Sequence, residues 1–261
     1  MLQLKYYKKM MEKISIFDSM KTAFTLWIIY FSKITVVGLI VFVPMQVCIE
    51  IVSILIAENE FLVRNQNNFF RFIRDIIGSI ALLGIINFIV KILEHGEEQT
   101  IKEILLHGLK KWLKYCGLLI IAGFKILGYT VLLIIPGIYK FVKLSFLDCV
   151  VATDKDDKNE ELNLLDESEQ LVKNRWWKVF LFVLLIFIFR VLFELSFLLL
   201  YILLPEFALK SFLIGVAIQV LGMYFFVVRA IYYLKIKKSN IEITSSENSD
   251  EIISIEKANG I

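Results

Sequence analysis

The sequence is poor in the residues from which catalytic and metal sites are usually built. It contains only two histidines, both in polar stretches, and no HExxH, GxSxG or Walker A motif. The three cysteines, Cys48, Cys116 and Cys149, lie in apolar segments without the CxxC spacing of a zinc or redox site. General acid/base catalysis and metal binding require more such groups than this chain supplies. We therefore predict a protein that is not an enzyme and that uses no metal or cofactor.

A large excess of charge of one sign is also missing. The formal net charge is only +3, whereas a nucleic-acid-binding surface is strongly basic, so we expect no nucleic-acid partner. The densest acidic cluster lacks the residue order and the central glycine of a calcium-binding loop. We interpret this cluster as a solvated linker. Its members are Asp154, Asp156, Asp157, Glu160 and Glu161.

Apolar residues dominate the chain instead. Hydrophobic residues make up 58% of it and the mean hydropathy is +0.71, whereas soluble domains are close to half apolar. Most of the 22 phenylalanines fall inside long apolar runs rather than at the alternating positions of a strand. This composition predicts an integral membrane protein.

Six apolar segments approach the roughly 20 residues that a helix needs to cross a bilayer. They cover residues of about 34–57, 76–93, 115–135, 138–152, 179–204 and 211–234. The fourth segment is short enough to be tilted or re-entrant, and it follows a helix break at Pro136-Gly137. Lys143 and Asp148, near its two ends, are expected to snorkel to an interface.

We therefore predict an all-α polytopic membrane protein with six transmembrane helices. A single transmembrane domain covers residues 1–234. Residues 235–261 are polar and show no helical or strand pattern, so we predict a disordered cytoplasmic tail.

Amphipathic stretches precede the first, third and fifth spans, and we predict that each forms a helix on the membrane surface. Tryptophan is enriched at membrane–water interfaces, and all four tryptophans lie where such a stretch meets a span. The predicted interfacial anchors are thus Trp27, Trp112, Trp176 and Trp177. If both termini are cytoplasmic, lysine and arginine fall mostly on the cytoplasmic side, as the positive-inside rule requires. We therefore predict a multi-pass protein with both termini in the cytoplasm.

The central block IPGIYKFVKLSFLDCVVATD, with the later SEQLVKNRWWKVF, resembles a family of bacterial polytopic proteins. That family includes the membrane domain fused to some glycerophosphoryl diester phosphodiesterases, and stand-alone relatives of the YciC type. The matching positions are Pro136, Gly137, Tyr139, Lys143, Ser168, Leu171, Lys173 and Trp177, with the acidic end of the fourth span. The resemblance covers roughly residues 14–234 and departs at Asn174, where the family pattern has glycine. It implies six helices in a bacterial inner membrane. It implies no catalytic residues, because the phosphodiesterase chemistry belongs to a separate soluble domain.

Four charged residues inside the predicted spans are the candidate substrate-binding residues: Glu50, Lys125, Arg190 and Glu194. A charge at the bilayer centre costs about 2.5–3.5 kcal/mol on insertion scales, so it normally faces the protein interior and has a partner. Arg190 and Glu194 are four residues apart on one helix and can pair with each other. Lys125 could pair with Glu50 or with Glu194. These charges either line a polar cavity for a headgroup, ion or substrate, or only fix how the helices pack.

These expectations favour a non-enzymatic bacterial inner-membrane protein that binds or helps move a lipid or amphiphile, with membrane lipids as partners. A first alternative is an accessory membrane protein, either an export-machinery subunit or an immunity factor. It would act through helix contacts with another membrane protein or a membrane-active peptide. A second alternative is a carrier of a small solute or ion, which requires a continuous aqueous path. A lipid site requires that the interior charges be reachable, whereas an accessory role tolerates their loss.

Overall fold

The computed structural model of the protein describes residues 15–55, 60–154, 161–205 and 210–258. Over these ranges the chain forms ten α-helices and no β-strand. In chain order they are α1 (Ile16–Ile29), α2 (Phe31–Leu55), α3 (Glu60–His95), α4 (Ile101–Leu132), α5 (Ile134–Lys143), α6 (Leu147–Thr153), α7 (Glu161–Lys173), α8 (Trp176–Leu203), α9 (Lys210–Gly222) and α10 (Tyr224–Ala258). The all-α prediction is confirmed.

Five helical segments in this part of the chain are long and apolar enough to cross a bilayer. They are Phe31–Leu55, Phe72–His95, Ile101–Leu132, Trp176–Leu203 and Lys210–Ile241. These segments correspond to α2, the second part of α3, α4, α8, and α9 together with the start of α10. Their length and composition indicate a multi-pass membrane protein, as predicted. The prediction of six spans is not confirmed.

The fourth predicted span, residues 138–152, is not a single helix. It is divided between α5, which ends at Lys143, and α6, which begins at Leu147 and has 7 residues. Every residue from Leu147 to Ala152 is buried, because α3, α4, α7 and α10 all pack against α6. The apolar sequence of α6 therefore reflects burial inside the protein rather than contact with lipid, two situations that composition alone does not distinguish.

The helix break before α5 lets the chain reverse against the end of α4. Leu133 is extended, with φ −162° and ψ 141°. The helix α5 starts at the next residue, so Pro136 lies in its first turn, where the missing N–H has no intrahelical partner to lose. At Gly137 a Cβ atom would lie 2.1 Å from Thr130 Oγ1, a contact distance that no side chain tolerates. The predicted break at Pro136-Gly137 is thus realised slightly earlier, at Leu133.

The helices α3 and α4 form a hairpin in which two glycines bring the backbones into contact. A Cβ atom at Gly84 would lie 2.4 Å from the carbonyl oxygen of Ile104, and one at Gly108 would lie 2.1 Å from that of Ile80. Small residues at a membrane helix crossing allow this close approach, which increases van der Waals contact between the helices. Helices α2, α6 and α10 pack on α3, and α5, α6 and α7 pack on α4.

The buried core is formed by α1, α6 and α7 together with parts of α3, α4 and α10. Its largest fully buried side chains come mostly from α3 and α10 and include Ile85, Phe88, Ile89, Tyr232 and Tyr233. Away from this core the large apolar side chains are exposed, above all on α8 and on the second parts of α2 and α4. Exposed apolar surface of this extent is expected of helices whose solvent is lipid.

The start of the polar tail is packed against the rest of the protein. The helix α10 covers Tyr224–Ala258. Lys235 and Ile236 are buried in it, and Asn240 Nδ2 donates to the carbonyl oxygen of Leu171 in α7 at 3.1 Å. The prediction of disorder is therefore wrong for residues 235–240, because contacts with α7, which no local pattern reveals, hold this stretch in place. For the rest of the tail it stays a prediction.

The amphipathic stretch before the first span forms α1, but its orientation is unusual. The helix buries Ser19, Thr22 and Ala23 and exposes Phe17 and Phe24. A water-facing helix would do the opposite, so this one packs its small face on α10 and turns its aromatic face outward. This orientation suits contact with lipid, although a position at the membrane surface stays a prediction.

The other two amphipathic stretches differ from each other. The stretch before the third span is not a separate helix, because α4 starts with a capping box of Thr100 and Glu103 and continues unbroken to Leu132. The stretch before the fifth span is the separate helix α7, which buries Leu164, Leu165 and Val172 among other residues.

The predicted solvated linker begins with a buried residue. The side chain of Asp154 is 2% exposed and lies 3.0 Å from Lys114 Nζ and 3.4 Å from Lys111 Nζ. The prediction is therefore wrong for Asp154, because two lysines of α4 compensate the cost of burying its charge. Of the other members, Glu161 is the first residue of α7, and Asp156, Asp157 and Glu160 lie outside the described residues.

Candidate functional site

A cavity with apolar walls and a charged end lies between α4, the turn from α5 to α6, α8 and α10. Its volume is about 340 Å³, and we call it the Arg229 cavity. Its apolar walls include Leu119, Ala122, Ile126, Phe141, Phe182 and Ile186. Its polar end is formed by Tyr115, Ser145, Asp148 and Arg229. The cavity thus has the polarity of an amphiphile.

An ion pair closes the polar end of the Arg229 cavity. Arg229 Nη2 donates to Asp148 Oδ1 at 2.9 Å and also to the carbonyl oxygen of Ser145. The backbone N–H of Cys149 donates to the same carboxylate oxygen at 2.9 Å. The Asp148 side chain is 1% exposed, whereas the Arg229 side chain is 33% exposed. The arginine is therefore the charged group that the cavity presents to a ligand.

Two polar atoms at this end lack a hydrogen-bond partner among the described residues: Asp148 Oδ2 and Ser145 Oγ. Buried polar atoms in folded proteins are nearly always paired. A carboxylate oxygen accepts and a hydroxyl both donates and accepts. The end of the cavity therefore keeps hydrogen-bonding capacity beyond the ion pair, and a polar headgroup or water can use it.

This pair does not follow from the sequence. The prediction that Asp148 snorkels to an interface is wrong, because α6 is buried and Asp148 pairs with Arg229. Arg229 was not selected because it lies near the end of the sixth predicted span, and its partner is 81 residues away in the chain. The available signal was a charge within an apolar segment, the same argument that selected the four candidates.

A second cavity brings together three of the four predicted site residues. It lies between α2, α3, α8 and α9, has a volume of about 420 Å³, and is called here the Arg190 cavity. Arg190 Nε donates to Glu194 Oε1 at 3.1 Å. From α2, Gln46 Nε2 donates to Glu50 Oε1 at 2.9 Å. The predicted pairing of Arg190 with Glu194 is thus present, and Glu50 lines the same cavity.

Further polar residues line the Arg190 cavity that sequence reasoning did not select: Arg74, Asp75, Tyr201, Ser211 and Gln219. Arg74 and Asp75 come directly before the second predicted span, so a search for charges within the spans does not include them. The cavity presents two arginines and three carboxylates, so it favours a zwitterionic or hydrated group over a hydrocarbon chain.

Lys125 lines neither cavity. It is half-buried on α4, and among the described contacts Glu194 pairs with Arg190 while Glu50 accepts from Gln46. The expected pairs of Lys125 with Glu50 or Glu194 are therefore not formed among the described residues. The structure groups three of the candidates and leaves the fourth apart.

The tryptophans are not equivalent. Trp177 is 70% exposed, as expected for an interfacial anchor, whereas Trp112 donates from Nε1 to the carbonyl oxygen of Ile76 at 2.9 Å. Trp176 donates to the carbonyl oxygen of Tyr139 at 3.3 Å. Trp27 packs among aromatic rings of α1, α2 and α10. Three of the four thus join helices to one another, and a position at the membrane interface stays a prediction.

The fold and the two cavities define a helical, multi-pass membrane protein with polar groups held among its apolar helices. Comparison of the chain with known protein families, with proteins of described function and with solved structures finds no match. The resemblance of the central block to the phosphodiesterase-associated and YciC-type membrane proteins therefore stays a prediction. So does the prediction that the protein is not an enzyme and uses no metal or cofactor.

Proposed function

We propose that the protein binds a lipid-like amphiphile in the Arg229 cavity. One observation carries the proposal: a single cavity has apolar walls from four elements and an arginine–carboxylate pair at one end. An amphiphile is the class of ligand that matches both parts at once. The volume of about 340 Å³ lies within the range of ligand pockets, about 300–1,000 Å³.

The walls and the polar end contribute in different ways. Each methylene group moved from water to an apolar environment contributes about 0.8 kcal/mol. An amphiphile that comes from the bilayer, however, gains little from this term, because its chain is already in an apolar solvent. The polar end of the cavity therefore determines which headgroup is bound. The guanidinium of Arg229 offers a planar set of donors that suits phosphate or carboxylate, so an anionic or zwitterionic headgroup is the expected ligand group.

The proposed setting is a bacterial cytoplasmic membrane with both termini in the cytoplasm. The distribution of lysine and arginine supports this orientation through the positive-inside rule. The exposed apolar surfaces of α2, α4 and α8 support a lipid environment in general. Membrane lipids are thus both the solvent of the protein and the source of its ligand.

Filling the cavity tests the proposal without disturbing its charges. Gly123 lines the Arg229 cavity, and a Cβ atom there meets nothing within 4 Å. Gly123→Phe should therefore fold and occupy the space of the ligand. Gly128→Phe is the matched control, because Gly128 lies on the same helix, has the same free space and does not line the cavity.

The measurement is the lipid that the full chain retains in mild detergent, determined by mass spectrometry, together with the binding of an added fluorescent phospholipid. We expect Gly123→Phe to weaken binding at least about tenfold, a difference of about 1.4 kcal/mol, and Gly128→Phe to bind as wild type does. Equal retention of lipid by Gly123→Phe and Gly128→Phe would contradict the proposal. A stoichiometric protein partner in place of lipid would favour the accessory role instead.

A further inference from the structure

The helix α8 runs antiparallel to α9 and α10 along its length. Near its start, Phe182 stacks on Tyr232 with ring centroids 3.8 Å apart. Near its end, the hydroxyl groups of Tyr201 and Ser211 lie 3.4 Å apart. Cavities between α8 and these two helices are therefore arranged in order along the axis of α8.

Three cavities follow one another along this axis. The Arg229 cavity reaches Ile186 on α8, and the Arg190 cavity covers α8 from Arg190 to Tyr201. Between them a smaller cavity of about 60 Å³ is lined by Phe193 and Phe225 and shares Arg190 with its larger neighbour. The two phenylalanine rings meet edge to face with centroids 5.9 Å apart. We call this narrow part the Phe193 constriction.

The row of cavities is almost as long as the apolar part of a bilayer is thick. Ser211 and Arg229 mark its two ends and are 18 residues apart in the chain. At about 1.5 Å per helical residue, and with a turn at Met223 between α9 and α10, they are separated by at most about 27 Å. The hydrocarbon core of a bilayer is about 30 Å thick.

Each of the two large cavities holds an arginine paired with a carboxylate. Arg229 of α10 pairs with Asp148 of α6, and Arg190 of α8 pairs with Glu194 of the same helix. Arg190 and Glu194 are 53% and 37% exposed, and both line the Arg190 cavity. Charges within membrane spans are costly and usually face the protein interior, a water-filled space or a substrate path.

The side of the groove away from the core is open. Only Val179 and Phe182 of α8 are buried, and its other apolar side chains are partly or fully exposed. A headgroup could therefore occupy the space between α8 and α9–α10 while its acyl chains stay in the surrounding lipid. A closed channel would not allow this division.

We infer that the groove between α8 and α9–α10 carries the headgroup of a phospholipid from one leaflet to the other. The Arg229 cavity and the Arg190 cavity are two successive headgroup sites, and the Phe193 constriction controls passage between them. The inference rests on the proposed function, because the Arg229 cavity is the site at which the lipid is first bound. It adds an activity, transbilayer exchange of lipid, which binding alone does not require.

The test uses the full chain reconstituted in vesicles of phosphatidylcholine and phosphatidylglycerol with a trace of acyl-labelled fluorescent phosphatidylethanolamine. Dithionite added outside bleaches the outer leaflet, and exchange lets it bleach the inner leaflet as well. The test variant is Arg190→Gln with Glu194→Gln, which removes both charges while keeping the net charge and leaving both side chains polar. The matched control is Lys178→Gln, because Lys178 is exposed on the same helix and lines none of the three cavities.

We expect wild type and Lys178→Gln to bleach both leaflets, and the double variant to exchange lipid at least about tenfold more slowly, which corresponds to about 1.4 kcal/mol in barrier height. The double variant should still retain lipid in detergent, because the Arg229 cavity is intact. Undiminished exchange in the double variant would contradict the inference that the headgroup passes through this groove. A wild-type chain that retains lipid but exchanges none would contradict lipid exchange, while the proposed lipid binding would remain supported. A chain that does neither would overturn both.

Discussion

The helices α3 and α8 are almost equally apolar and are packed in opposite ways. In their apolar windows the mean hydropathy is 2.4 for α3 and 2.6 for α8, yet 78% of the α3 window is buried and 0% of the α8 window. The sequences differ in residue size, because α3 carries Gly78, Ser79, Ala81 and Gly84 whereas α8 has no glycine or alanine. Small residues admit a neighbouring backbone, and large apolar side chains are equally well solvated by lipid. Hydropathy therefore locates a span, and residue size indicates whether the span is central or peripheral.

The largest expected effect comes from placing a large apolar side chain, of the size found in α8, at a glycine of α3. In Gly84→Leu the new Cβ atom would lie 2.4 Å from a backbone carbonyl oxygen of α4, which cannot move without separating the hairpin. Overpacking of this kind typically costs about 1–3 kcal/mol and occasionally more, and here we expect no monodisperse protein. Size-exclusion chromatography in detergent and thermal unfolding measure the result.

Ser196→Leu is the matched control on α8, because Ser196 is exposed there and the added side chain meets lipid. We expect it to behave as wild type. The comparison between α3 and α8 fails if the two leucine variants are equally stable or equally unstable.

An intermediate effect is expected from the two arginine–carboxylate pairs. The carboxylate of one pair is buried and that of the other is partly exposed, so they test the effect of burial on charged residues. In Arg229→Leu the Asp148 carboxylate is left buried without its partner, which should cost about 3 kcal/mol. In Arg190→Leu the remaining Glu194 is 37% exposed and lines the polar Arg190 cavity, so we expect a smaller loss than in Arg229→Leu. Unfolding in a detergent and denaturant series measures both differences.

Adding Asp148→Leu to Arg229→Leu removes the orphaned charge and should recover much of the lost stability. The same addition of Glu194→Leu to Arg190→Leu should change little. Equal losses for the two single arginine variants would show that burial does not distinguish the pairs.

Features that depend on local composition were predictable from the sequence. The apolar segments over α2, α4 and α8 are long enough to identify them as spans, and the break near Pro136 follows from the chemistry of proline and glycine. The pair of Arg190 with Glu194 was predictable because residues four apart share a helix face. Each of these inferences uses residues that are close together in the chain.

Features that depend on distant contacts were not predictable in this way. The burial of α6 depends on four other helices, and its short apolar sequence is equally compatible with a membrane span. The pair of Asp148 with Arg229 joins residues 81 positions apart. The helix after Lys235 depends on packing against α7. The small residues of α3 are the local feature that distinguishes it as a central helix.

The smallest expected effect concerns a surface ion pair at the edge of the central hairpin. Lys33 Nζ lies 2.7 Å from Glu98 Oε2 and joins the start of α2 to the loop after α3, with side chains 33% and 59% exposed. The hydrogen bond and the positive charge of Lys33 lower the pKa of Glu98 from its ordinary value of 4.5. The folded state then holds the Glu98 proton less tightly than the unfolded state does. The contribution to stability is therefore complete above pH 4.5 and is lost as the pH falls through the lowered pKa.

Exposed pairs of this kind contribute about 0.2–1 kcal/mol, so Glu98→Gln should lower stability by no more than this at pH 7. The difference from wild type should disappear in acid, where the wild-type carboxyl is protonated as well. Glu97→Gln is the control, because Glu97 is the exposed neighbour in the same loop and should change stability less at pH 7. Thermal unfolding of the three proteins from pH 7 to pH 3 measures the effect. A difference between Glu98→Gln and wild type that grows as the pH falls would contradict the lowered pKa. A loss as large as that of Arg229→Leu would contradict the small contribution expected of an exposed ion pair.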